Sequence, residues 1–138
     1  MPFERAVRLT WSGSGMRFSG AGTDPASPPI VVDGDGAGGP GPMQVLLLAA
    51  AGCSGSDVVS ILAKMRVALR RLVVDVVGTR RDEEPRRYIA IHLRFAMDGD
   101  GLDQAKAERA VNLSLEKYCS VVSSLAPDIA ISHEIVIG

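Results

Sequence analysis

Residues 41–62, GPMQVLLLAAAGCSGSDVVSIL, are apolar on nearly every side of a helix and carry one charge, that of Asp57. Pro42 suits the first turn of a helix, where its missing N–H costs nothing. The pattern predicts a helix from Pro42 to about Leu69, and its first half, apolar nearly all round, indicates burial on every side. A helix of this length would also span a membrane. Its small and polar centre, Gly52 to Asp57, would be costly in lipid, so we expect a central core helix and no membrane partner.

Apolar residues at every second position predict strands on both sides of this helix. The predicted strands are Arg5–Trp11, Met16–Phe18 and Ile30–Val32 before it, then Leu72–Val77, Tyr88–Met97 and Ile129–Ile137 after it. A flexible glycine-rich loop is expected over residues 33–41, and a hairpin loop with Pro85 over residues 79–87. In the Tyr88–Met97 strand, the residues predicted to face inward are Ile89, Ile91, Leu93, Phe95 and Met97, and those predicted to face outward are Tyr88, His92 and Arg94.

A second helix is predicted after the turn at residues 98–102, with Asp103 as its N-cap. Its apolar face follows helical spacing through Ala107, Val111, Ser114, Tyr118, Val121 or Val122, and Leu125. Pro127 ends the pattern. The order strands, helix, strands, helix, strand predicts an α+β domain with two main helices packed on a mostly antiparallel sheet. We expect one domain over residues 1–138.

Composition argues against several functional classes. The chain has 138 residues, 46% of them hydrophobic, and a net charge of −1, with its arginine pairs spread among acidic residues. We therefore expect no nucleic-acid partner. The two histidines and two cysteines match no zinc spacing, so no metal is expected. No secretory signal is visible at the amino terminus, and a cytoplasmic location is expected.

Cys53 and Cys119 are the residues that point most directly to chemistry. In a cytoplasmic setting, two thiols brought together by a fold can run a peroxidase cycle, in which one attacks and the other resolves. The alternative is that both are small buried hydrophobic residues without a chemical role. Asp57 lies one turn after Cys53 and disfavours a thiolate, so a cation from elsewhere is needed, and Arg17 is the best candidate.

Four motifs resemble a known family. They are Gly15-Met16-Arg17-Phe18, the run from Gly41-Pro42-Met43 to Ala51-Gly52-Cys53, Asp57-Val58-Val59, and Glu116-Lys117-Tyr118-Cys119-Ser120-Val121. Along nearly its full length the chain resembles the OsmC/Ohr family of thiol-dependent peroxidases and their relatives. It looks closest to the branch with Pro-Met before the first cysteine helix. The resemblance implies an OsmC-like fold and an intertwined homodimer, whose two long central helices pack together and whose active sites take residues from both chains.

The resemblance also implies residue roles. Cys53 would attack the hydroperoxide, Cys119 would resolve the sulfenic acid as a disulfide, and Arg17 would stabilise the thiolate. An external dithiol would be the reductant, and no bound cofactor is implied. The family's peroxidases carry a glutamate nine or ten residues before the first cysteine, where this chain has Gln44 and Met43. Gln44 could hold Arg17 by a hydrogen bond, or Asp57 could take the glutamate's part.

Two functions therefore follow from the sequence. The first is a cysteine-based hydroperoxide reductase, a peroxidase acting on organic hydroperoxides in oxidative-stress defence. The alternative is a non-catalytic dimer of OsmC-like type that binds a small molecule or senses oxidant. The substrate, the physiological reductant and the distance between the two cysteines are not determined by the sequence.

Overall fold

The computed structural model describes residues 2–138. Its elements in chain order are β1 (Val7–Trp11), β2 (Arg17–Gly22), β3 (Ile30–Asp33), α1 (Pro42–Lys64), β4 (Ala68–Arg80), β5 (Tyr88–Asp100), α2 (Gln104–Leu113), a π-helical turn (Ser114–Tyr118), α3 (Ser120–Ser123) and β6 (Ala130–Ile137). The predicted α+β class and element order are confirmed. The chain divides into two compact units, one ending at Leu46 and the other spanning Leu47–Gly138.

The first unit contains an antiparallel sheet in the order β1-β2-β3. Trp11 pairs with Phe18, and Arg17 pairs with Asp33. All three strands were predicted, although β2 extends past Phe18 to Gly22. The glycine-rich loop after β3 is organised by its first residue, since the Asp33 carboxylate accepts hydrogen bonds from the backbone N–H groups of Asp35 and Gly38.

Helix α1 ends at Lys64, and the predicted end near Leu69 is wrong. The backbone N–H of Arg66 bonds to the carbonyl of Ala63, and that of Val67 bonds to the carbonyl of Leu62. With Arg66 at a φ of 62°, these bonds form a Schellman motif, the usual end of a helix. This position is commonly glycine. Because an arginine occupies this position, the sequence does not indicate the end of the helix, and the predicted helix was therefore too long.

The prediction that the first half of α1 is buried on every side is wrong for the single chain. Its buried residues are Ala50, Ser54, Gly55, Val58 and Leu62. Leu48 is 60% exposed and Val59 is 49% exposed. Among residues 2–138, α1 is the one helix that length and composition would allow to cross a membrane.

The second unit has a sheet in the order β4-β5-β6, with β4 and β5 antiparallel and β5 and β6 parallel. A bulge explains one error in the predicted facing of β5. Thr79 pairs with Ala90 and Arg80 pairs with Tyr88, which leaves Ile89 as the extra residue. A bulge shifts the alternation by one position. Tyr88 is therefore buried, and Ile89 is 42% exposed, the reverse of the prediction.

Helix α1 crosses the face of β4 where small residues allow close approach. A Cβ atom at Gly78 would overlap the Tyr88 ring and lie 3.0 Å from the Leu47 side chain. Further along, a Cβ atom at Gly55 would lie 3.9 Å from Leu72 and Val74. Leu47, near the start of α1, therefore lies beside Gly78, near the end of β4. The helix and the strand run in opposite directions. Cys53 lies between these two crossing points.

The predicted second helix begins as expected, because Asp103 caps α2 by accepting the N–H of Lys106. Its predicted continuation to Pro127 is wrong. The N–H of Cys119 bonds to the carbonyl of Ser114 at 2.7 Å, a π-type bond that inserts one residue into the helical repeat. Cys119 itself is extended, with ψ at 101°. Tyr118 consequently turns outward and is 50% exposed, while Cys119 turns into the core.

Candidate active site around two cysteines

Cys53 lies on α1 and is half-buried. Asp57 lies four residues later on the same helix, so the two side chains share one face. The other residues one turn from Cys53 on this face, Ala49, Ala50 and Ser56, are small. The local sequence therefore places a thiol and a carboxylate side by side with little bulk between them.

Cys119 lies at the break between the π-helical turn and α3 and is 3% exposed. The predicted second helix is broken at this position, so Cys119 does not lie on a continuous helix. The extra residue of the π turn is the cause, because without it Tyr118 would face inward instead.

The fold brings Cys53, Asp57 and Cys119 together. The two sulfur atoms and a carboxylate oxygen of Asp57 all lie within 4.8 Å of one another. Both cysteines are free thiols. Cys53 and Cys119, far apart in the sequence, are thus neighbours in the second unit.

A chain of buried hydroxyl groups supports this cluster. Ser114 Oγ lies 2.9 Å from Ser54 Oγ and 2.9 Å from Asp57 Oδ2. A carboxylate only accepts and a hydroxyl has a single proton, so Ser114 donates to Asp57 and accepts from Ser54. Both serines are completely buried. The hydrogen bond leaves Asp57 held at one oxygen and oriented toward the sulfurs.

The surroundings of Cys119 disfavour its ionisation. Burial raises the pKa of the Cys119 thiol to about 11. A hydrogen bond and the charge interaction with Cys53 raise this pKa further, while the backbone amides of Val122 and Val121 act in the opposite direction. The desolvation cost of a buried thiolate is the larger effect. Cys119 is therefore a protonated thiol at neutral pH.

An open groove of about 510 Å³ lies beside the cluster in the second unit. Its lining residues are Asp57, Ser60, Ile61, Lys64, Met65, Arg109, Leu113 and Tyr118. Neither cysteine is among them, but Asp57 belongs to both the groove and the cluster. The groove offers an apolar wall and two cations within the same space.

Arg17 lies on β2 in the first unit, and its charged partner there is Asp33. Arg17 Nε is 3.7 Å from Asp33 Oδ2. Hydrogen bonds from the backbone of Gly38 and Asp35 lower the pKa of Asp33, and the charge of Arg17 lowers it further. The role of Arg17 toward a thiolate stays a prediction. Its pairing with Asp33 was not anticipated from the sequence.

The Gln44 side chain caps the start of its own helix, α1. Its Oε1 accepts the backbone N–H of Gly41 at 3.0 Å, which is one half of a capping box at the start of α1. Within the first unit, Gln44 bonds to Gly41 and the charged partner of Arg17 is Asp33, so a hydrogen bond from Gln44 to Arg17 stays a prediction. Asp57, the other proposed substitute for the family's glutamate, contacts Ser114.

Three residues with clear structural roles were missed by sequence reasoning: Asp33, Ser54 and Ser114. Ser114 carried a signal, because it was the one serine on the predicted apolar face of the second helix. A polar residue at a core position needs a hydrogen-bond partner there. Asp33 was the first residue of a glycine-rich loop, a place where Asp commonly organises a turn.

Comparisons with known proteins agree with this architecture. The sequence is 41% identical over 128 residues to Protein YhfA of Escherichia coli strain K12, covering 92% of this chain and 93% of YhfA. A hypothetical protein from Aquifex aeolicus VF5 has 30% identity and a TM-score of 0.83, with 99% of both chains covered. An organic hydroperoxide resistance protein OsmC from Legionella pneumophila has 13% identity, a TM-score of 0.65 and 97% coverage of each chain, a likeness of fold alone.

The sequence pattern that describes the OsmC-like proteins matches residues 34–134. This span contains α1, both cysteines, the π-helical turn and most of β6. The resemblance inferred from the four motifs is therefore confirmed over most of the chain. The protein belongs to the OsmC-like protein family.

Proposed function

We propose that this protein is a cysteine-based hydroperoxide reductase that acts on organic hydroperoxides. The observation that carries the proposal is the cluster in which the sulfurs of Cys53 and Cys119 lie within 4.8 Å. A disulfide bond is about 2.05 Å long, so the sulfurs must approach by less than about 3 Å. Side-chain rotation at the extended residue Cys119 can supply much of that approach.

The proposed reaction has two steps. The Cys53 thiolate attacks the outer oxygen of the hydroperoxide, forming an S–O bond while the O–O bond breaks and the alkoxide leaves as the alcohol after taking a proton. The Cys119 sulfur then attacks the Cys53 sulfenic acid, forming the disulfide while hydroxide leaves as water after taking a proton. Two electrons pass from the thiols to the peroxide, and an external dithiol returns them by thiol–disulfide exchange.

Exposure and ionisation assign the two roles. Cys53 is half-buried and thus open to a small substrate, whereas Cys119 is 3% exposed. Cys119 is also held protonated, since burial raises its pKa to about 11. A thiolate is the attacking species in this chemistry, so we assign attack to Cys53 and resolution to Cys119.

The surroundings favour a hydroperoxide with an apolar body. The groove beside Asp57 has a wall formed by Ile61, Met65 and Leu113. Burying an organic group against such a wall is favourable, and hydrogen peroxide has none to bury. We place this activity in oxidative-stress defence in the cytoplasm. The Legionella pneumophila protein that shares this fold is named for organic hydroperoxide resistance.

We also propose that two copies of the chain associate. Large apolar side chains are exposed on α1, where Leu48 is 60% and Val59 is 49% exposed. On β1, Val7 is 79% and Leu9 is 57% exposed. Exposed apolar patches of this kind favour an interface. Light scattering of the purified protein tests the proposal, with a mass of twice 14.5 kDa as the expected result.

The reaction is tested by titrating the reduced protein with cumene hydroperoxide and recording its intact mass. At one equivalent per chain, we expect the loss of two hydrogen atoms and both free thiols, together with one cumyl alcohol released. Peptide mapping must then show Cys53 joined to Cys119. Retention of both thiols under excess peroxide would contradict the proposal.

The second candidate is a binding or sensing dimer, and the engagement of Gln44 favours it. Gln44 is uncharged and caps α1, while Arg17 pairs with Asp33, so the glutamate that pairs with the arginine in the family's peroxidases has no counterpart at position 44. A ligand that binds the folded state raises the unfolding temperature. Stabilisation by an apolar compound together with no peroxide turnover would support this candidate over the first.

A further inference from the structure

We propose that Cys53, Asp57 and Cys119 form an exchangeable site for a thiophilic divalent cation such as Zn²⁺. The metal and the disulfide would use the same two sulfurs and exclude each other. The ligand set depends only on the geometry of the cluster and not on peroxidase activity. The sequence predicted no metal site, because spacing along the chain cannot show that these three residues meet.

The donor atoms already lie near the required arrangement. They are two sulfurs and one carboxylate oxygen within 4.8 Å of one another. Tetrahedral zinc with bonds of about 2.3 Å to sulfur needs sulfurs about 3.8 Å apart. A contraction of about 1 Å or less would therefore close the site. The spacing of Cys53 and Asp57 on one helical face makes two of the ligands a pre-formed pair.

A second layer of hydrogen bonds orients the carboxylate. Ser114 donates to Oδ2 of Asp57 at 2.9 Å, and Ser54 lies 2.9 Å from Ser114. This leaves the other oxygen of Asp57 available to a cation. Partners of this kind position metal-binding carboxylates in known sites, and their loss costs metal affinity.

The fourth position would be open. Three protein ligands leave a tetrahedral cation one place for water or a ligand. Asp57 also lines the groove of about 510 Å³, so that place can be reached from solvent. Structural zinc sites have four protein ligands and hold the metal permanently. With three protein ligands beside an open groove, we expect a bound metal ion to exchange with metal ions in solution.

The donor chemistry selects the kind of metal. Two thiolates favour zinc, cadmium or cobalt over magnesium and calcium, which prefer oxygen ligands. Coordination uses the sulfur lone pairs that would attack an oxidant or an alkylating agent. A bound cation should therefore protect both thiols from modification.

Cobalt(II) is the direct probe, because tetrahedral cobalt bound to sulfur has intense visible bands and a sulfur-to-metal charge-transfer band. Reduced full-length protein should bind one cobalt per chain with both features, and added Zn²⁺ should remove them. Cys53→Ser and Cys119→Ala should each abolish the charge-transfer band or reduce it by half. Asp57→Asn should weaken binding about tenfold or more.

His92 provides the matched control, since it is a potential metal ligand on β5 of the same unit, where it contacts Ser132 and Glu134. His92→Ala should leave the cobalt spectrum unchanged. Far-ultraviolet circular dichroism checks that each variant is folded. Zn²⁺ should also slow alkylation of both cysteines in the wild-type protein.

Three results would overturn the site: a weak octahedral spectrum without charge transfer, a spectrum retained in folded Cys119→Ala, or loss of the spectrum in His92→Ala. The outcome is independent of turnover. Cobalt binding without peroxide reduction would leave the site standing while rejecting the proposed function. Peroxide reduction without cobalt binding would reject the metal site and leave the proposed function standing.

Discussion

Ser114 donates its hydroxyl hydrogen to Asp57 across 2.9 Å, and this bond connects the segment before Cys119 to the helical turn after Cys53. Ser114 is the first residue of the π-helical turn, and its carbonyl accepts the N–H of Cys119. One residue thus contacts both halves of the cluster, by its side chain and by its backbone. We therefore expect this contact to influence the distance between the two sulfurs.

We expect Ser114→Ala to destabilise the protein by about 1–3 kcal/mol, because it leaves the buried Ser54 hydroxyl and the Asp57 carboxylate without their partner. Urea unfolding of the reduced protein measures the change. Ser123→Ala is the control, since Ser123 is exposed, and its effect should lie within about 0.5 kcal/mol. Equal effects of the two changes would mean that the hydroxyl chain contributes nothing.

The raised pKa of Cys119 predicts how stability depends on pH. The folded protein holds this proton to about pH 11, whereas the unfolded chain releases it near the ordinary value of 9.0. Stability from this group is therefore complete below pH 9 and is lost as the pH rises toward 11, by about 3 kcal/mol in total. Unfolding of wild-type and Cys119→Ala proteins at pH 8 and above measures the difference.

The Cys119→Ala protein lacks this group, so its stability should decline less over that range. Tyr88, whose pKa is also raised by burial, is present in both proteins, and its contribution cancels in the comparison. Parallel declines in the two proteins would show that Cys119 ionises alike in the folded and unfolded states.

The two cysteine variants should fail at different steps of the proposed cycle. Cys53→Ser removes the attacking sulfur and should abolish reduction of cumene hydroperoxide. Cys119→Ser should consume one equivalent and then stop at the Cys53 sulfenic acid, because no neighbouring thiol is left to resolve it. A sulfenic-acid probe with mass detection identifies that product. Turnover of Cys53→Ser at the wild-type rate would reject the assignment.

Arg17 was assigned by resemblance to a role toward the thiolate, and its removal tests that role. Arg17→Ala should lower the rate of Cys53 oxidation by about a hundredfold if its charge stabilises the reacting sulfur. Arg8→Ala on the neighbouring strand β1 is the control and should keep the wild-type rate. Equal rates for all three proteins would remove Arg17 from the site. Stopped-flow consumption of the peroxide gives the rates.

The end of α1 offers a prediction independent of function. Arg66 adopts a φ of 62°, a conformation that favours glycine. Arg66→Gly should therefore stabilise the protein by about 0.5–1 kcal/mol. Ala63→Gly, three residues earlier within the helix, should destabilise it by a similar amount. Thermal unfolding of both variants checks the opposite signs, and destabilisation by Arg66→Gly would contradict the proposed strain.

Much of the fold was predictable because its signals are local. The apolar run after Pro42, the alternation of Val7, Leu9 and Trp11, and the N-cap at Asp103 each depend on residues a few positions apart. Backbone geometry converts such patterns into helices and strands directly. The same local motifs were enough to indicate the OsmC-like family and to select Cys53 and Cys119.

Tertiary packing decided what those local patterns leave open. The bulge at Ile89 and the π turn at Ser114 each insert one residue into a regular repeat, and so decide whether Tyr88 and Cys119 face the core. The energy that favours them comes from burying side chains against distant segments, which no short window contains. The approach of Cys119 to Cys53 and Asp57 has the same origin, because it depends on how two distant segments pack.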